Sequence, residues 1–156
     1  MITCRKMTAG LVPAAYEMLR SFLTEDEHYL ASSEAYGDRG TKGINDALDL
    51  FLEHPELGFV WLAYDDNGVA GMCVICYAIS TSMGVVVAKL DDVSVKKDRR
   101  GQGVGTELIR QLKEQLSRES VMRIDVGVHL ENPEARRFYE RLGFVPLNEE
   151  RMACVI

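Results

Sequence analysis

The chain has 156 residues, 47% hydrophobic and 27% charged, with a formal net charge of −6. That length suits a single domain, residues 1–156, with a real core, and the acidic balance argues against a nucleic-acid partner, whose domains are basic. The N-terminus has no apolar signal region and the longest apolar run, Val69 to Ile79, is too short to span a bilayer, so a cytoplasmic protein without a membrane partner is expected.

Ile2 to Met7 alternates apolar and polar residues and predicts a short strand. Leu11 to Leu23 carries Leu11, Ala15, Met18, Leu19 and Phe22 at helical spacing. The polar, turn-rich stretches Thr24 to His28 and Ser32 to Gly40 predict loop. A second helix is expected from about Thr41 to Glu53, stopped by Pro55. Phe59 to Tyr64 and Val69 to Ile79 flank Asp65-Asp66-Asn67-Gly68. Asn67-Gly68 predicts a hairpin with a type I′ turn, which needs φ > 0 at both central positions.

Cys73-Val74-Ile75-Cys76 matches C-x-x-C, a metal or redox spacing. Residues three apart on a strand face opposite sides, so buried structural cysteines are expected instead. His28, His54 and His129 have no ligand spacing, and no metal site is expected. Val85 to Val95 predicts a strand. Val104, Leu108, Leu112 and Leu116 stack along a helix, and Val121 to Val128 is the next strand. That order is a βαβ unit, so its two strands should be parallel. Asn132-Pro133-Glu134 opens a further helix as N-cap, N1 and first-turn acid, and Gly143 closes it. Phe144-Val145 and Met152 to Ile156 predict short final strands. The class is α+β: a mixed, mostly antiparallel central sheet of six to seven strands, one parallel βαβ unit, and helices on both faces.

Chemistry concentrates in Arg99-Arg100-Gly101-Gln102-Gly103-Val104-Gly105, between the Val85–Val95 run and the helix that follows. Glycines let a backbone approach a bulky ligand, and a helix N-terminus offers free N–H groups and partial positive charge, which together favour phosphate. A nucleotide P-loop would need a lysine after the glycines, and none is present. A dinucleotide fingerprint would need a third glycine where Thr106 stands, directly after the strand; here Lys96 to Arg100 intervene.

Arg100-x-x-Gly103-x-Gly105 resembles the R/Q-x-x-G-x-G/A signature of the Gcn5-related N-acetyltransferases, the GNAT superfamily. Asn132-x-x-Ala135-x-x-Phe138-Tyr139-x-x-Leu142-Gly143-Phe144 resembles that family's second motif, and Leu90 to Val95 looks like the strand before its pyrophosphate loop. The order of elements agrees over nearly the whole chain. The resemblance implies the acyl-CoA N-acyltransferase fold, acetyl-CoA as co-substrate, no metal, and transfer to a primary amine in a ternary complex. It implies that Val93, Ser94 and Val95 offer backbone to the pantetheine arm. Gly101, Gln102, Gly103, Val104, Gly105 and Thr106 would hold the pyrophosphate, Arg99 and Arg100 the outer phosphates, and Asn132 a pantetheine amide.

An alkyl ammonium of pKa about 10.4 must lose its proton before it can attack, at roughly 4–5 kcal/mol at pH 7. Asp91 and Asp92 are the candidate bases. Asp91 shares strand parity with Val93 and Val95 and is the more desolvated if those are buried; a β-bulge would swap the assignment. The alternative is that both acids only attract a cationic acceptor. An N–H near Val93 or Ser94 is the candidate oxyanion donor. Tyr139 resembles the family's general acid for the departing thiolate. In this family the segment here running from Glu25 to Gly40 shapes the acceptor pocket, with Glu34 and Tyr36 as acceptor contacts beside Asp91 and Asp92. A small-molecule amine is the leading acceptor. The alternatives are a protein lysine or N-terminus, or a non-catalytic acyl-CoA-binding member. Family members often form homodimers, but no interface is legible in these residues.

Overall fold

The computed structural model describes all 156 residues. Five strands form one sheet in the order β1-β2-β3-β4-β5. They are β1 (Thr3–Lys6), β2 (Gly58–Asp65), β3 (Gly68–Ser80), β4 (Val85–Val95) and β5 (Ile124–Val126). The first four are antiparallel neighbours, and β4 and β5 pair in parallel. Five helices complete the fold: α1 (Val12–Glu25), α2 (Glu27–Leu30), α3 (Gly40–Glu53), α4 (Val104–Arg118) and α5 (Pro133–Arg141).

Strand alternation builds two cores. Phe59, Trp61, Cys73, Ile75, Ala88 and Leu90 face α4 and α5, with Leu108, Ile109, Leu112 and Tyr139 packed on them. Val60, Leu62, Met72 and Val74 face α1 and α3, meeting Ala15, Leu19, Ile44 and Leu48. Cys73 and Cys76 therefore sit on opposite faces of β3, as their spacing requires. Trp61 Nε1 donates to Leu108 O at 3.2 Å and ties the sheet to α4.

Several expectations need correction. The sheet has five strands, not six to seven. Phe144 cannot start a strand, because its N–H donates to Tyr139 O at 3.0 Å while Gly143 N–H donates to Glu140 O at 3.1 Å. Those two bonds are the Schellman closure of α5, and the Tyr139 and Phe144 rings meet at 5.3 Å. Val145, Met152, Val155 and Ile156 lie exposed with no neighbouring strand, so the apolar run Met152 to Ile156 forms none. β5 is three residues long, shorter than Val121 to Val128. The β2–β3 turn is not type I′: Gly68 takes φ +104 and Asn67 is not left-handed. The Asp65 carboxylate accepts Asn67 N–H at 2.7 Å, and this Asx turn sets the geometry instead. The segment expected as loop contains α2, started by Asp26, whose side chain accepts Tyr29 N–H at 2.8 Å.

Candidate active site

β4 and β5 pair only through Ala88–Ile124, Lys89–Asp125 and Leu90–Val126. Beyond Leu90, β4 stays paired to β3 alone and its other edge is open. The fork thus begins at Asp91. Lys96 N–H donates to Ala70 O at 2.9 Å on the β3 side. Alternation then turns the main-chain groups of Ser94 toward β3 and those of Val93 and Val95 toward the open edge. Val95 O accepts from Arg100 Nε at 3.2 Å, and the Ser94 hydroxyl is buried without a partner.

Where the fork opens, β4 carries a bulge. Val74 pairs with Asp91 and Met72 with Ser94, so Cys73 alone opposes Asp92 and Val93. Asp92 sits at φ +52, a left-handed conformation that Asp tolerates better than most residues. The bulge shifts parity: Leu90 and Val93 both join the α4/α5 side. It also reverses the order of desolvation expected from simple alternation. Asp91 is ion-paired, with Lys89 Nζ at 2.8 Å and Arg151 Nη1 at 3.7 Å. Asp92 has neither an ion pair nor a hydrogen bond in the protein. Burial, and then the Asp91 charge, push its carboxyl up to about 6, with Lys89 pulling the other way.

The loop after β4 continues through a 3₁₀ turn, Lys97–Arg99, into α4. Gly101 and Gly103 take φ +72 and +81, where a side chain is strained. Gly103 is the N-cap of α4 and no side chain caps the helix. The N–H groups of residues 101–106 donate to no acceptor in the protein, and the first bond of the helix is Glu107 N–H to Gly103 O at 3.0 Å. Six consecutive free donors at a helix N-terminus form an anion cradle. Gly105 lies inside the helix for another reason: a Cβ there would meet Phe138 at 3.3 Å, so its absence lets α5 pack close. Gln102 Nε2 braces the loop through Asp98 O at 3.0 Å. Arg99 turns away from the cradle to the largely buried Asp65 at 2.9 Å, whereas Arg100 stays exposed beside Val95.

Asn132 caps α5 through Ala135 N–H at 3.1 Å, which commits its oxygen and leaves its amide NH₂ without a partner. Tyr139 is 8% exposed, and its ring packs on Phe138 and Phe144. Its hydroxyl has no hydrogen-bond partner in the protein, yet it is not among the sealed, unpaired polar atoms, so it reaches solvent. Burial, then Cys73 and Asp91, raise its pKa, which keeps it protonated.

On the α1/α3 side of the bulge lies a cavity of about 190 Å³ that contains Asp92, Tyr29, Asp38 and Arg39 in its lining. Glu34 and Tyr36 do not line it. Glu34 is exposed, and Tyr36 stacks on the outside of Tyr29 with ring centroids 5.8 Å apart. Tyr29 was not legible as a site residue; the cue was Asp26 three residues ahead, which caps α2 and aims it. A larger cavity of about 420 Å³ lies at the far end of β3, lined by Tyr77, Val86 and Glu119, away from the fork.

Residues 56–146, more than half of the chain, match the family model of the acetyltransferase (GNAT) domain. The chain belongs to the GNAT family. Over 93 residues it is 31% identical to an uncharacterised N-acetyltransferase of Methanocaldococcus jannaschii, covering 60% of this chain and 41% of that protein. This GNAT chain also shares its fold with a predicted acetyltransferase with acetyl-CoA from Clostridium acetobutylicum. The TM-score is 0.73, with 15% identity and 99% and 96% of the two chains covered. Ribosomal-protein-alanine N-acetyltransferase from Brucella melitensis matches with TM-score 0.76, 13% identity and coverage of 100% and 99%. No helix is long and apolar enough to cross a membrane.

Proposed function

We propose that the protein transfers the acetyl group of acetyl-CoA to a primary amine of a small molecule, by direct attack with both substrates bound. The observation that carries this reading is Asp92: an unpartnered, desolvated carboxylate at the mouth of the fork, facing the cavity. The free N–H groups of residues 101–106 fit the coenzyme's pyrophosphate, with Arg100 as its cationic neighbour. The Val93 carbonyl and the Val95 N–H, on the open edge, fit the pantetheine amides, as an added strand would, and the free NH₂ of Asn132 fits a pantetheine carbonyl.

The acceptor ammonium gives a proton to Asp92, directly or through water. The neutral nitrogen attacks the thioester carbonyl carbon. Val93 N–H faces the open edge and can receive the oxyanion. The C–S bond breaks, the thiolate takes the proton of the Tyr139 hydroxyl, and the product nitrogen gives its second proton, through water, to the tyrosinate. Steady-state kinetics test the order of events. Double-reciprocal lines for acetyl-CoA at several amine concentrations intersect on this reading; parallel lines would mean an acetyl-enzyme and refute direct attack.

A further inference from the structure

The cavity beside Asp92 is selective in what it leaves unpaired. Its walls are Leu19, Leu23, Ile44, Ala47, Phe51 and Val74. Its two carboxylates differ in what they already hold. The Tyr29 hydroxyl donates to Asp38 Oδ2 at 2.5 Å, and Asp38 Oδ1 accepts Gly40 N–H at 2.6 Å. Arg39 faces Asp46 at 3.3 Å. Only the Asp92 carboxylate is left to receive a donor.

We propose, building on the function proposed above, that the acceptor is a compact primary amine on an alkyl or aryl body, its nitrogen at Asp92 and its body against the apolar walls, and that Ala47 sets the size of that body. The nitrogen answers the one open acceptor. Apolar carbon answers the six hydrocarbon and aryl walls. A body rich in hydroxyls, such as an aminosugar, would bury polar groups against those apolar walls and be selected against. Ala47 lies between Ile44 and Phe51 on the inner face of α3, where a larger side chain would occupy space that the acceptor's far end needs.

The test follows thiol release from acetyl-CoA with phenethylamine, n-butylamine, glucosamine, free lysine and a lysine-containing peptide. The two apolar amines should exceed the other three in kcat/KM by about tenfold or more. Ala47→Leu should raise KM for phenethylamine about tenfold and for n-butylamine much less, with acetyl-CoA affinity as the folding control. Glucosamine or the peptide as best substrate would overturn the proposal, as would an Ala47→Leu enzyme that treats the two apolar amines alike. If no amine is acetylated, the proposed function fails, and calorimetry reads the cavity separately. Phenethylamine binding that weakens in Ala47→Leu supports the proposal; no binding to the wild-type protein overturns it.

Discussion

Asp92→Asn should make the protein more stable and nearly inactive at once. The folded state holds this carboxyl at about 6 against a usual value of 3.8, so folding favours the protonated form. The folded state then binds more protons than the unfolded one between those values, and stability falls as pH rises through that window. Above pH 7 the ionised carboxylate costs the fold about 3 kcal/mol at most. Asparagine removes the charge, keeps a similar shape, and tolerates the left-handed backbone at φ +52 better than alanine would. Denaturant unfolding at pH 8 should show a gain of roughly 1–3 kcal/mol, because the new amide also lacks a partner, and a much smaller gain at pH 4. Acetyl transfer should fall by about 10²–10⁴. In the wild-type enzyme kcat/KM for the amine should rise with pH through about 6, the range in which Asp92 ionises. A variant no more stable at pH 8 than the wild type would refute the desolvation argument. A variant with full activity would refute the assignment of the base.

Tyr139→Phe should lower kcat by about 10²-fold while leaving acetyl-CoA affinity near the wild-type value, since the hydroxyl has no partner in the protein; equal loss of both would remove its role as acid. Gly103→Val strains a residue at φ +81 with open space around it. Calorimetry should therefore show coenzyme binding lost, and a melting curve should show a protein destabilised by only about 1–2 kcal/mol. Arg100→Ala should weaken coenzyme binding more than Arg99→Ala. Arg99→Ala should instead lower stability, because Arg99 is paired with the largely buried Asp65.

What the sequence disclosed was local. The glycine loop, the Asn132-Pro133 cap and Gly143 closure of α5, and the alternation of β2 to β4 each depend on neighbours a few residues away. What it concealed depends on distant chain. The bulge arises from the register of β4 on β3, and nothing within Asp91-Asp92-Val93 marks it; hence Asp91 took the place that Asp92 fills in burial. Arg99 finds its partner in Asp65 at the end of β2, where composition alone would leave it free for phosphate. The acidic segment after α1 is expected from the sequence to shape a pocket, and Tyr29, Asp38 and Arg39 of it do line one. Which of its side chains point inward was not legible, because Asp26 first had to build α2 and turn Tyr29 toward Asp38. The C-terminal residues have strand composition, but a strand also needs an edge to pair with, and Phe144 is already bound into the end of α5.

The central claim is that the main-chain N–H groups at the start of α4 hold the coenzyme's diphosphate. Amide nitrogen–proton NMR spectra recorded during a titration with coenzyme A test it most directly. The account predicts large, saturable downfield proton shifts at Gly101, Gly103 and Gly105, which inorganic pyrophosphate partly reproduces. Saturating coenzyme A with those three amides unmoved would contradict it.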